Sequence, residues 1–116
     1  MATVSHTSAR TFDRRTITWT GIATGDTINP FIMDVPGSLA AIQATGTFGS
    51  ATVTLSGSLD GTTYFSLSDV TGTAISLTAN GYAELSTAAL YIKPAITGGT
   101  GDSVTVVMVV RTNDAL

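Results

Sequence analysis

Residues 51–67 read ATVTLSGSLDGTTYFSL. Val53, Leu55, Gly57 and Leu59 alternate with Thr52, Thr54, Ser56 and Ser58, the period of two that sends successive side chains to opposite faces of a β-strand. Asp60-Gly61 then reads as a two-residue turn. Both central residues of a type I′ turn need positive φ, which Gly adopts freely and Asp more readily than most. The return strand places Phe65 and Leu67 on the inner face, so an apolar inside, a hydroxyl outside and a tight turn together spell a hairpin.

Working outward, Asn80-Gly81 repeats the device between residues 74–79 and 82–86, where Ile75 and Leu77 alternate with Ser76 and Thr78. Period two persists from Arg15 onward, and helical periodicity never holds for three turns. Strands are expected at about 15–23, 27–35, 39–48, 51–59, 62–68, 73–79, 81–86, 90–97 and 103–111. Eight or nine short strands fit an all-β, antiparallel β-sandwich over residues 15–116, with a barrel as the alternative. The last strand differs from the rest. Val104, Val106, Met108 and Val110 form one face, but Val107 and Val109 make the opposite face apolar too, so another element or another subunit is expected to cover it.

A chain of 116 residues fits one domain. Cysteine is absent, which removes thiol nucleophiles and thiolate metal sites. Charged residues make up 11% while threonine fills 22 positions, and mean hydropathy is positive. The polar surface is therefore largely hydroxyl, which suits a protein packed against neighbours better than one kept apart by charge. The net charge of −3 is unevenly spread. Residues 1–15 carry Arg10, Arg14 and Arg15 against Asp13 alone. Residues 1–14 hold only Val4 and Phe12 as sizeable apolar groups and read as a flexible basic N-terminal arm. Guanidinium forks pair with carboxylates, so Arg10, Arg14 and Arg15 are candidates for docking the arm on an acidic partner. No apolar run is long enough for a membrane helix, and residues 1–11 lack a secretory h-region.

The inventory of reactive groups is thin. His6 is the single histidine and reads as an exposed tail residue, without a carboxylate nearby to orient it as a base. Asp26, Asp34, Asp60, Asp69, Glu84 and Asp102 fall at strand ends and turns, where Asp commonly bonds its own backbone. Calcium clamping by some of them, or a glycosidase pair, are the sharper alternatives. The glycine clusters at 46–49 and 98–101 lack the Lys-Ser/Thr and helix of a phosphate loop and read as turns. A basic stripe with interleaved aromatics for nucleic acid is missing. Tyr64 and Tyr82, out of phase with Phe65 and Leu85, are candidates for a sugar-stacking platform. The expectation is a binding protein rather than an enzyme, without cofactor, metal, nucleic-acid or membrane partner.

Three stretches carry a resemblance: residues 49–67, GSATVTLSGSLDGTTYFSL; residues 72–81, GTAISLTANG; and residues 90–101, LYIKPAITGGTG. In this order they resemble small β-sandwich structural proteins of tailed bacteriophages, over roughly residues 46–111. The resemblance implies a jelly-roll-like capsid cement or decoration protein. Such a protein, often trimeric, sits on the outer shell of the virion and bridges neighbouring major capsid proteins. Related hairpins also occur in neck, tail and head-fibre components and in carbohydrate-binding modules, which stand as alternatives. On the cement reading, Arg10, Phe12, Arg14, Arg15, Val107 and Val109 are the candidate partner-binding residues.

Overall fold

The computed structural model describes residues 3–11, 14–32, 39–86 and 89–111, with backbone alone at Arg10, Thr11, Leu39, Ser86 and Arg111. Regular structure among them is all strand: β1 (Thr3–Val4), β2 (Thr7–Thr11), β3 (Arg14–Ile22), β4 (Thr27–Ile28), β5 (Phe31–Ile32), β6 (Leu39–Thr47), β7 (Thr52–Ser58), β8 (Phe65–Ser66), β9 (Ser76–Leu77), β10 (Gly81–Ser86), β11 (Tyr91–Thr97) and β12 (Ser103–Arg111). One sheet runs β10-β6-β12-β3-β2 and the other β5-β11-β7-β8, with β9 also on β7. β1 and β4 form a small parallel pair. From β5 to β7, and again from β9 to β12, each successive strand passes to the opposite sheet. The hairpin β7–β8 stays within one. This antiparallel sandwich has the jelly-roll order.

The core lies between the inner faces. Ile17, Trp19, Ile22, Ile42, Leu85, Val104, Val106, Met108 and Val110 come from the first sheet, and Phe31, Val53, Leu55, Ile92 and Ile96 from the second. Each such side chain contributes roughly 1.5–3 kcal/mol on burial. One rung of the first sheet tapers, with Trp19 opposite Val106, Val106 opposite Ala44, and Ala44 opposite Gly81. Small residues on β6 and β10 thus balance the indole on β3, which keeps the gap between sheets filled without strain. Indole Nε1 donates to the Asn29 carbonyl at 2.9 Å, so the polar atom that burial would orphan is satisfied.

Several sequence expectations are corrected. Asn80-Gly81 closes no hairpin: β9 lies on β7, with Val53 opposite Leu77, while β10 pairs with β6 in the other sheet. The link between β9 and β10 therefore crosses from sheet to sheet. Asn80 Oδ1 secures the crossing by accepting the Gly46 N–H at 3.1 Å. The strand expected at 27–35 is broken into β4 and β5 at Asn29-Pro30, because proline has no N–H to give a ladder. The strands expected at 62–68 and 73–79 shrink to β8, β9 and a single bridge between Ser68 and Ala74.

The N-terminal segment, read as an arm that is free in isolation or ordered by docking, is paired over much of its described length. Residues 7–11 form β2, paired with β3 along the edge of the first sheet, and Val4 lies opposite Ile28. An edge strand leaves a row of unpaired N–H and C=O groups, and any extended segment can satisfy them. The composition of residues 7–11 could not reveal this, because the ladder is made by backbone rather than side chains.

Gly46 has a φ of +133°, and a Cβ there would run into the Ser103 carbonyl on β12. Gly72, at +90°, faces open space. Chemical denaturation of Gly46→Ala is expected to show a loss of about 3 kcal/mol or more, against roughly 1 kcal/mol for Gly72→Ala, which meets only the backbone penalty. Equal losses would refute the close approach.

Candidate functional site

Register lays out the outer face of the first sheet rung by rung. One rung runs Tyr82, Gln43, Val107, Thr18, Thr7, and the next Glu84, Ala41, Val109, Thr16, Ala9. The following rung brings Leu39, Arg111, Arg14 and Thr11 into line. Val107 and Val109 therefore sit at mid-sheet, half-buried among small neighbours. With Ala41, Gln43 and Tyr82 they line a shallow depression of about 120 Å³. Its surroundings are chiefly threonine and alanine, with Glu84 and Arg14 toward the margin, so this face is weakly charged.

The candidate arginines do not act as one group. Arg14 shares the outer face with Val107 and Val109, whereas Arg15 stands opposite buried Val110, on the inner side. Its guanidinium carbon lies 5.7 Å from the centre of the Phe31 ring, a cation–π placement. Arg10 pairs in register with Arg15. Phe12 lies outside the described residues. Alternation along β3 thus splits Arg14 from Arg15, as adjacent strand residues must be split.

A second surface was not expected from the sequence. Gly57, Ser58, Leu59, Asp60, Thr63, Phe65, Leu67 and Ala89 line an open groove of about 380 Å³ at the β7–β8 turn. Leu59 and Phe65, both expected on the inner face, are 71% and 70% exposed. Phe65 does lie across from Gly57, as the pattern requires. However, Ala89 and Leu67 fill the space over Gly57: a Cβ there would stand 2.8 Å from the Ala89 Cβ and 3.0 Å from Leu67 Cδ2. Alternation gives the side of a sheet and carries no signal for what covers it, so nothing local could have marked Phe65 as exposed.

The turn beside this groove is longer than two residues and is built by hydrogen bonds. Asp60 Oδ1 accepts from the N–H groups of Thr62 (2.8 Å) and Thr63 (2.9 Å) and from the Ser58 hydroxyl (2.9 Å). Ser58 Oγ in turn accepts the N–H groups of Asp60 and Gly61. Gly61, at φ +79°, passes over the Tyr91 ring, which a Cβ would approach to 3.1 Å. The Ser-x-Asp-Gly-Thr motif is thus turn chemistry. Asp69 Oδ1 similarly holds Thr71 and Thr73.

At the opposite end of the sandwich, Asp102 Oδ2 accepts from both the N–H and the hydroxyl of Thr24, each at 2.8 Å. Thr24 Oγ1 accepts the Gly99 N–H, which ties two loops together. Asp26 Oδ2 accepts from Ala23. Asp26 serves its own loop, as the backbone-bonding reading expected, whereas Asp102 bonds a loop distant in sequence. Among the described residues, no group of three His, Asp or Glu side chains converges as a metal site would require. Tyr82 stands on the outer face of the first sheet, and Tyr64 packs under Lys93 of the second, with Nζ 4.5 Å from its ring centre. They belong to different surfaces and make no common platform.

His6 is half-buried, in contrast to the exposed tail residue expected. Its ring meets Trp19 and Phe31 edge-on, with centroids 5.8 and 5.4 Å away. The chain matches no protein-family model, no curated protein and no solved structure.

Hydrogen bonds hold three carboxyls below the ordinary value of 3.8: those from Thr63, Thr62 and Ser58 for Asp60, those from Thr71 and Thr73 for Asp69, and that from the Thr24 hydroxyl for Asp102. A depressed acid stabilises the fold above its unfolded pKa and loses that contribution as pH falls through its folded one. The melting temperature is therefore expected to hold, as far as these groups decide it, down to about pH 5 and to drop below about pH 4. Asp60→Asn and Asp69→Asn together should make that drop shallower in a calorimetric pH series. An unchanged slope would remove these turns from the account.

Proposed function

We propose that this chain is a structural protein of a tailed-bacteriophage virion, a capsid cement protein that binds the outer shell and bridges neighbouring major capsid proteins. The observation that supports the reading is the presence of two separate surfaces with uncovered apolar groups on one small sandwich. The weakly charged face around Val107 and Val109 belongs to the first sheet, and the apolar groove with Leu59 and Phe65 belongs to the second. A bridge needs two contact areas that can be filled at once, and a single patch would give only attachment.

The resemblance of residues 46–111 to phage β-sandwich proteins supports the same role and favours a homotrimer. Binding only the assembled state would stabilise the shell by mass action. Several weak contacts per trimer would reinforce one another, because later contacts form at high effective concentration.

The test is to mix the purified protein with shells lacking it. Stoichiometric attachment and a raised disruption temperature are expected. Val107→Asp with Val109→Asp, and separately Leu59→Ser with Phe65→Ser, should each weaken attachment at least about tenfold, since a carboxylate or a lost anchor at an apolar contact costs more than about 1.4 kcal/mol. Leu59 and Phe65 are exposed, so that variant should keep its melting temperature to within a few degrees, while the variant at half-buried Val107 and Val109 is compared below its own, lower melting temperature. Failure of the native chain to attach would refute the reading, and attachment to tails or necks instead would relocate it on the particle.

A further inference from the structure

His6 is a half-buried titratable group among the described residues. Its Nδ1 is sealed from solvent and has no partner. The imidazole stands in the corner formed by Trp19 of β3 and Phe31 of β5. On one side of it, β1 is held to β4, with Asn29 N–H donating to the Val4 carbonyl at 2.9 Å and Asn29 Nδ2 donating to the Ser5 hydroxyl at 2.8 Å. On the other side, β2 runs along β3. Residues 3–11 thus form a strap from the small β1–β4 pair to the edge of the first sheet, and His6 lies in the middle of it, in the link between β1 and β2.

Among the described residues, no carboxylate bonds to this imidazole. Arg15 of β3 lies over the same Phe31 ring, Arg14 is on the outer face, and β4 and β5 carry no charged residue. Arg10 follows on β2, and Lys93, on β11 behind β5, lies over Tyr64. Asp26, which flanks β4, accepts from Ala23 in its own loop. A proton on the imidazole would therefore introduce a cation into an apolar corner, with no carboxylate described there to receive it.

We propose that the strap formed by residues 3–11 is an acid-released latch, docked with neutral His6 against Trp19 and Phe31 and freed when His6 takes up a proton. Burial holds the imidazole pKa below its ordinary value of 6.5. The released strap binds the proton more tightly than the docked one, so docking is fully favoured above that value and weakens as pH falls from it toward the docked pKa. Release uncovers Trp19 and Phe31 while the rest of the jelly roll keeps its ladders. The inference stands apart from the virion reading.

Trp19 is the sole tryptophan and reports on the corner directly. Between pH 7.5 and 5, its emission is expected to shift to the red. Hydrogen exchange should show residues 3–11 opening by up to about tenfold more per pH unit over part of that range, while amides of β6, β7, β11 and β12 stay protected. His6→Phe and His6→Leu, which cannot titrate, should hold the emission constant; the pair guards against one of them failing to fold. The latch is overturned if native Trp19 emission does not move, if a folded His6 variant shows the same transition, or if the central strands open together with residues 3–11.

Discussion

The fold rests on one packing constraint: the two sheets must stay close enough to bury their inner faces, and Trp19 sets how. Its indole takes up the space that Ala44 and Gly81 leave farther along the same rung. Its Nε1 fixes the Asn29 carbonyl at the break between β4 and β5. Asn29 then holds both Val4 and Ser5. The same side chain therefore fills the core, positions the link to the second sheet and anchors the strap across the sandwich side. A cavity there would be felt in all three places, because interiors pack at crystal-like density.

Around that core, polar groups are spent on shape. Asp60, Asp69 and Asp102 each gather several donors from nearby backbone or a facing threonine, converting irregular loops into fixed ones. Such loops supply backbone partners that strands cannot, which lets a chain with few charges end its strands cleanly. Ser58, Asp60 and Gly61 are legible as turn chemistry. They speak for how the hairpin is built and are silent on what it touches.

The candidate surfaces lie where this economy leaves apolar groups uncovered. Val107 and Val109 are half-covered by small neighbours, while Leu59 and Phe65 project beside a rigid turn. Rigidity matters for adhesion, because a surface fixed before contact loses little entropy on contact. Arg14 and Arg15 show how local geometry divides a sequence cluster: one faces outward beside Val109's rung and the other turns toward Phe31.

Sequence alone determined the class of the fold and the inner faces of its long strands. The expected boundaries of β10 and β12 coincide with the observed ones, and Val53, Leu55 and the Val104–Val110 series are buried as alternation requires. Period two is a property of the local backbone, so it is written locally. Tertiary structure decided the rest. Which strands lie beside each other, that Asn80-Gly81 crosses between sheets, that residues 7–11 become an edge strand, that Phe65 is bare and His6 half-buried, all depend on partners distant along the chain. The entropy of closing a loop changes only slowly with its length, so competing pairings differ little in that cost. The choice falls to packing in three dimensions, which no short window of residues encodes.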